Sequence, residues 1–127
     1  MSERIIMTQP DIRRALTRIA HEIAERNQGC EALVFIGIMT RGVPLAKRIA
    51  SRIKEFDGVD IPIGALDISF YRDDISFLEK QPVVHRTDIP TDITAKRVVL
   101  IDDVLYTGRS IRAALDAIID FGRPKNI

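Results

Sequence analysis

The 127 residues lack the sequence features of disulfide-bonded, metal-binding, membrane-spanning and secreted proteins. The single cysteine, Cys30, cannot form an internal disulfide, and with only two histidines beside it the sequence predicts no metal-ligand cluster. We expect Cys30 to be a small, partly buried residue. The absence of a long uncharged apolar run argues against a membrane span. The first residues lack the apolar region of a secretory signal, so we expect a cytoplasmic protein.

The charge balance and two missing motifs narrow the function further. Nineteen Lys and Arg residues face 18 Asp and Glu residues, which gives a net charge of +1. This balance argues against a protein that is basic all over, and we expect no DNA partner, although basic side chains can still gather on one face. Neither G-x-G-x-x-G nor G-x-x-x-x-G-K-[ST] occurs, so dinucleotide-binding and P-loop sites lack their motifs.

Alternating apolar patterns predict an α/β fold with a largely parallel sheet. Helical spacing predicts helices over residues 11–26, 43–56 and 110–121, and apolar runs predict strands over residues 32–38, 61–71 and 97–101. Thr8 is the expected N-cap of the first helix. We expect a single domain, residues 1–127, with a flexible charged loop at about 72–96.

The predicted helices each have an apolar stripe that should face the core. In the first helix the stripe comprises Ile12, Ala15, Leu16, Ile19, Ala20, Ile23 and Ala24. In the last helix it comprises Ile111, Ala114, Leu115, Ile118 and Ile119.

Two adjacent carboxylates, Asp102 and Asp103, follow the predicted strand 97–101. In parallel sheets, ligands gather at the carboxyl ends of strands. A vicinal diol, or a magnesium ion bound to one, uses carboxylate oxygens at this spacing. Ordinary loop acids are the alternative interpretation.

The next segment, Val104–Gly108, leads directly into a helix. Thr107 and Ser110 offer hydroxyls, and Gly108 lets the backbone approach a ligand closely. The N–H groups and dipole at a helix N-terminus favour a monophosphate. Each feature alone also fits a turn or a helix cap, but together they predict a site for a phosphorylated ribose.

These residues, VVLIDDVLYTGRS, resemble the thirteen-residue 5-phosphoribosyl 1-pyrophosphate (PRPP) motif of the class I phosphoribosyltransferases. With IRRALTRIAHEIAERN, GIMTRGVPLAKRIA and LDISFYRDDIS, the chain is similar to the bifunctional pyrimidine operon attenuators that are also uracil phosphoribosyltransferases. The resemblance covers nearly the whole chain. It implies the class I phosphoribosyltransferase fold, a twisted and largely parallel sheet flanked by helices.

The resemblance implies a PRPP and UMP site made of two loops. Asp102 and Asp103 would hold the ribose hydroxyls. The residues around the 5-phosphate would be Val104, Leu105, Tyr106, Thr107, Gly108, Arg109 and Ser110. The pyrophosphate, with Mg²⁺, would be held by Thr40, Arg41 and Gly42, since an arginine fork and exposed backbone N–H groups suit a diphosphate. The Mg²⁺ would be carried by PRPP, with Asp102 and Asp103 as the nearest carboxylates.

In the implied reaction, uracil displaces pyrophosphate from C1 of the ribose and gives UMP. Arg72 would close over the pyrophosphate, and its alternative interpretation is a solvated loop arginine. Asp103 is the nearest candidate for a general base. The alternative activity is a class I phosphoribosyltransferase that acts on another base, orotate or a purine, without an RNA role.

The polar side of the first helix predicts a second function. The resemblance implies that this helix binds the leader mRNA of the pyrimidine operon, with UMP strengthening attenuation of transcription. The residues expected to contact RNA are Arg14, Thr17, Arg18, His21 and Arg26. A solvated polar face is the alternative. The family also implies a homo-oligomer, a dimer or higher.

The last residues, GRPKNI, predict an unfinished unit, because Ile127 has the character of the first residue of a strand. Members of the family continue through another core strand and the segments that recognise uracil. We therefore expect the fold to lack its C-terminal strands and the base specificity to lie outside the residues present.

Overall fold

The computed structural model describes residues 6–39, 41–68, 87–102 and 109–127, and of residues 109 and 110 it describes the backbone only. Within these ranges, three strands form a parallel sheet: β1 (Leu33–Ile38), β2 (Ile63–Leu66) and β3 (Arg97–Ile101). Their order is β2-β1-β3. The α/β fold with a parallel sheet is therefore confirmed.

Three helices alternate with these strands: α1 (Gln9–Arg26), α2 (Gly42–Asp57) and α3 (Arg109–Ile119). The predicted N-cap is confirmed, because the Thr8 hydroxyl accepts a hydrogen bond from the Asp11 amide while the Asp11 carboxylate accepts one from the Thr8 amide. This reciprocal pair satisfies two amides that the first turn of a helix leaves without partners. Among the described residues, no helix is long and apolar enough to cross a membrane.

The sheet separates two apolar layers. Leu33 and Phe35 of β1 face α1 and α2, where they pack with Leu16, Ala46 and Ile53 and others. The alternate residues Val34 and Ile36 face α3 and pack against Ala114, Ala117 and Ile118. All six residues of β1 are buried, as expected for a central strand covered on both faces.

The second strand is shorter than the predicted range 61–71, of which residues 69–71 lie outside the described residues. It ends at Leu66 because the next amide, that of Asp67, donates to the Thr87 hydroxyl at 3.0 Å and does not extend the strand pairing. Thr87, which is distant in the sequence, therefore sets this boundary, and the local apolar pattern could not predict it.

The second part of the predicted flexible loop, residues 87–96, is anchored to the core. Asp88 pairs with Ala65 through two backbone hydrogen bonds of 2.8 Å, and Ile93 is fully buried. Ile89 packs on the same apolar layer. The apolar side chains that lie between the charged residues thus hold this segment on the core. Residues 72–86 of the predicted loop lie outside the described residues.

Two predicted core positions are wrong. Ile119 at the end of α3 is 62% exposed, because the helix turns its small residues Ala113 and Ala117 towards the sheet. Ile19 of α1 is 38% exposed, whereas Leu16 and Ala20 are buried. The periodicity identified both helices correctly, but each predicted apolar stripe included one isoleucine that the structure leaves exposed.

Candidate functional site

The carboxyl ends of all three strands meet at one edge of the sheet. Gly37 of β1 is in register with Ile101 of β3, and Ile38 with Leu66 of β2. Beyond the end of β1, the Met39 amide donates to the Leu66 carbonyl at 2.8 Å. The chain segments that follow the strands therefore start side by side, which is where a parallel sheet binds its ligands.

Two glycines bring the backbones at this edge into contact. A Cβ atom on Gly42 would overlap with the carbonyl oxygen of Ile101, the residue before Asp102. A Cβ atom on Gly37 would lie 2.6 Å from the carbonyl oxygen of Gly42 and from the backbone of Val43. Only glycine fits at both positions, and the close approach places the start of α2 against the end of β3.

Two half-buried carboxylates occupy the same edge. Asp102 follows β3 directly, as predicted, and Asp67 follows β2. The sequence prediction did not include Asp67. The signal that could have found it is the single acidic residue between Leu66 and Ile68, both of which are buried. The edge therefore holds acidic acceptors on both sides of the loop at 39–42.

A helix N-terminus complements these acids. The N-cap of α2 is Arg41, which is exposed and makes no side-chain capping hydrogen bond to the helix. The first turn contains no acidic residue. Backbone N–H groups at such a start, together with the helix dipole, favour an anion. The helix α3 begins at Arg109, where the segment that follows β3 ends.

Several predicted site residues lie outside the described residues. They are Thr40, Arg72, Asp103, Val104, Leu105, Tyr106, Thr107 and Gly108. Of Arg109 and Ser110, the structure gives the backbone, which forms the first two residues of α3. The structure thus brings together Arg41, Gly42 and Asp102 of the predicted PRPP site.

Magnesium needs separate consideration because the resemblance implies it. Within the described ranges, no group of three His, Cys, Asp or Glu side chains is placed to hold a metal ion. Mg²⁺ commonly uses one or two protein carboxylates together with substrate phosphates and water. Asp102 at this edge fits that mode, in which the substrate supplies most of the ligands.

Four of the five residues predicted to contact RNA lie on one side of α1. Arg14 forms an ion pair with Asp11 at 2.5 Å and keeps 73% of its side chain exposed. The Thr17 hydroxyl donates to the Arg13 carbonyl at 2.9 Å. Arg18 and His21 are exposed, and the ring of His21 stacks on Phe56 of α2. Arg14, Thr17, Arg18 and His21 therefore lie on one side of the helix.

Arg26 lies at the edge of this side. It is about 140° around a regular helix from His21 but about 80° from Arg18. Arg26 is exposed in the last turn of α1, where a cation also interacts favourably with the helix dipole. Its part in an RNA contact stays a prediction.

A cleft of about 450 Å³ lies at the opposite, amino end of the sheet. Its lining includes Cys30, Asp57 and Arg97. Arg97 Nη1 donates to the Asn27 carbonyl at 2.6 Å and so binds the C-cap residue of α1 to β3. Burial, followed by a hydrogen bond to Asp57 and the charge of that carboxylate, raises the pKa of the buried Cys30 thiol to about 11. The expected burial of Cys30 is confirmed.

Comparison with known proteins identifies the family. The profile of the phosphoribosyl transferase domain matches residues 4–127. The Bifunctional protein PyrR of Deinococcus radiodurans is 58% identical over 122 residues, which cover 96% of this chain and 67% of that protein. The protein of the same name from Roseiflexus sp. is 59% identical over 127 residues, covering 100% of this chain and 69% of the relative. The chain thus spans about two thirds of the length of these relatives.

Solved structures agree on the fold. The purine phosphoribosyltransferase of Pyrococcus horikoshii is 24% identical with a TM-score of 0.67, and the match covers 94% of this chain and 71% of that one. The HGPRT-ase of Leishmania tarentolae in complex with GMP is 14% identical with a TM-score of 0.73, covering 99% and 67%. At these identities the likeness concerns the fold alone. Taken with the relatives above, it shows that this chain belongs to the phosphoribosyltransferase family and, within it, to the bifunctional PyrR proteins.

Proposed function

We propose that this chain binds PRPP at the carboxyl edge of the sheet and transfers its phosphoribosyl group to uracil. It also regulates the pyrimidine operon by binding the leader mRNA, with UMP in the same pocket strengthening that binding. The observation that carries the proposal is the contact of Gly42 with the Ile101 carbonyl. The contact supports the proposal because it joins the start of α2, the proposed pyrophosphate site, to the strand end before Asp102, the proposed ribose ligand.

In the proposed complex, Asp102 and Asp103 accept hydrogen bonds from the ribose hydroxyls. The segment from Val104 to Ser110 surrounds the 5-phosphate, and its last two residues open α3. Thr40, Arg41 and Gly42 hold the pyrophosphate at the start of α2. Arg72 closes over the pyrophosphate and excludes water.

The chemical step exchanges one bond at C1 of the ribose. N1 of uracil forms a bond to C1 as the bond from C1 to the pyrophosphate oxygen breaks, and the N1 proton leaves. Mg²⁺, when bound, neutralises charge on the pyrophosphate. The residues of the chain mainly position the reactants and stabilise charge on the leaving group. Asp103 is the proposed acceptor of the proton.

The enzymatic proposal is tested by incubating the protein with PRPP, Mg²⁺ and each of uracil, orotate and hypoxanthine. We expect UMP from uracil, and the other two bases test the alternative function. The alternative function is a phosphoribosyltransferase for orotate or a purine without an RNA role. Its support is the fold shared with purine and orotate enzymes. A purine nucleotide without UMP would establish that alternative.

The regulatory proposal is tested by filter binding of a pyrimidine operon leader RNA with and without UMP. We expect tighter binding with UMP and about tenfold weaker binding for Arg18→Gln, because a cation facing the phosphates is lost. Arg123→Gln is the matched control, since Arg123 is exposed beyond α3, on the other face of the sheet. Equal affinity of the Arg18 variant and the wild type would remove α1 from the RNA site.

The localisation and the oligomeric state of the protein are also proposals. The enzymatic and the regulatory role need access to nucleotides and to the nascent transcript, so we propose that the protein acts in the cytoplasm. We also propose a homo-oligomer, and light scattering coupled to gel filtration measures its mass.

A further inference from the structure

Two aromatic rings from different helices stack on the surface of the protein. The ring centroids of His21 on α1 and Phe56 on α2 are 3.9 Å apart, and the planes differ by 15°. His21 is exposed, and Phe56 is 40% exposed. A buried pair of this kind would only join the helices, but an exposed pair also presents flat ring surface to the solvent.

Basic side chains approach this pair along both helices. On α1, Arg18 precedes His21 by three residues, so the two lie on the same side of the helix. On α2, Arg52 precedes Phe56 by four residues, and Arg48 by eight. Arg52 contacts Glu55 at 3.8 Å, close to the outer limit of an ion pair. The Arg52 side chain is 27% exposed and its Nε atom is buried, so only part of this side chain is open to a ligand.

Acidic residues also lie near the rings and limit what could bind. Glu22 and Glu25 are on α1, and Glu55 and Asp57 flank Phe56 on α2. These carboxylates disfavour a phosphate directly over the rings. The arrangement therefore suits a ligand whose phosphates contact the arginines to one side while a neutral ring stacks on the outer face of Phe56 and extends the pair.

We propose that Phe56 is a further RNA-contact residue and that it forms, with His21, a two-ring platform for an unpaired base of RNA. Arg18 and Arg52 contact phosphates beside that base. Unpaired bases of RNA are commonly held by stacking on aromatic rings next to basic side chains. The inference rests on the RNA-binding function proposed above, and it extends the RNA surface from α1 to α2.

The first test measures binding of a labelled stem-loop from a pyrimidine operon leader to Phe56→Leu. We expect about tenfold weaker binding, since leucine keeps an apolar side chain but offers no ring. The matched control is Phe121→Leu, because Phe121 is 42% exposed and follows α3 on the other face of the sheet. The control should bind RNA as the wild type does. Both variants should keep the wild-type affinity for UMP.

The second test uses the absence of tryptophan from the sequence. Phe56→Trp introduces the only tryptophan of the chain, and its ring can still stack. We expect this variant to bind the stem-loop about as tightly as the wild type and its fluorescence to be quenched by a stacked base. Phe121→Trp should show no quenching. This readout separates base stacking from a purely structural role, and it decides the matter if Phe56→Leu fails to fold.

The outcomes separate the platform from the regulatory function on which it rests. If the wild type binds no leader RNA, the regulatory proposal fails and the platform fails with it. If the wild type binds but Phe56→Leu binds equally well, or Phe56→Trp is not quenched, the regulatory proposal stands and the platform is overturned. Equal weakening by the Phe56→Leu and Phe121→Leu variants would also overturn it, because the effect would then be a general loss of stability.

Discussion

The two ends of the sheet are held together differently. At the amino end, side-chain hydrogen bonds join neighbouring elements: Arg97 donates to the Asn27 carbonyl, and Asp57 accepts from Cys30. At the carboxyl end, the defining contact is between backbones, where Gly42 meets the Ile101 carbonyl. Both ends contain charged residues. The comparison teaches that charge alone does not distinguish a candidate site, whereas the close approach of the start of α2 to the end of β3, beside half-buried acids, does.

The largest expected effect comes from filling the backbone contact. Gly42→Ala should lower the free energy of unfolding by about 3 kcal/mol, because the new methyl group overlaps with a carbonyl oxygen that cannot move freely. It should also abolish UMP binding, because displacement of the Ile101 backbone moves the adjacent Asp102, the proposed ribose ligand. Urea unfolding and titration calorimetry measure the two effects.

The control for Gly42→Ala is Gly58→Ala. Gly58 has a φ of 72° but no atom within 4 Å of the added Cβ, so its cost is that of backbone conformation alone. We expect Gly58→Ala to lower the free energy of unfolding by about 1 kcal/mol and to leave UMP binding unchanged. If Gly42→Ala were as stable as the wild type and bound UMP, the close contact would not be needed.

A smaller effect is expected at the amino end. Arg97→Met should lower the free energy of unfolding by about 2 kcal/mol, because the Asn27 carbonyl loses a charged donor at 2.6 Å. UMP binding should not change. Arg123→Met, at an exposed arginine, should alter the free energy of unfolding by less than about 0.5 kcal/mol. Weaker UMP binding by Arg97→Met would show that the two ends are not independent.

The smallest effect concerns the start of α1. Thr8→Ala should lower the free energy of unfolding by about 1 kcal/mol through loss of the N-cap. The Thr8 amide, the Thr8 hydroxyl and Arg14 together hold the pKa of Asp11 below its usual range. A lowered pKa in the folded state stabilises the protein above the pKa of the unfolded state, and this contribution is lost as the pH falls through the folded-state value.

Thermal unfolding of the wild type and Asp11→Asn at pH 7 and pH 3 checks this dependence. The difference in melting temperature between the two proteins should be larger at pH 7. A difference that grew towards pH 3 would contradict the assigned direction. UMP binding by Thr8→Ala at pH 7 should equal that of the wild type, because the cap lies on α1 and not at the carboxyl edge.

Local patterns predicted most element boundaries. The bounds of β3 are as predicted, and those of β1 and α2 differ by one residue at one or both ends. These elements have continuous apolar runs or a clear helical period, so the sequence contains the needed information. The exposed Ile119 was not predictable in the same way, because small alanines let α3 pack closely and turn the larger side chain outward.

The candidate site was predicted to a similar extent. The motif located Asp102 at the end of a strand, where the structure places it. The contact between Gly42 and Ile101 joins residues far apart in the sequence, as does the stacking of His21 on Phe56. Such contacts depend on how elements pack, which one sequence does not reveal. The position of Arg26 at the edge of the predicted RNA face, in contrast, follows from the helix period and could have been predicted.

The most direct test of the account is the affinity of Asp102→Asn for UMP, measured by titration calorimetry beside Asp116→Asn. Asp116 is an exposed acid on α3, and its variant controls for loss of one negative charge. The account predicts that Asp102→Asn binds UMP at least about tenfold more weakly than the wild type, because charge-assisted hydrogen bonds to the ribose are lost. Asp116→Asn should bind normally. Wild-type affinity in Asp102→Asn would contradict the assignment of the carboxyl edge as the phosphoribosyl site.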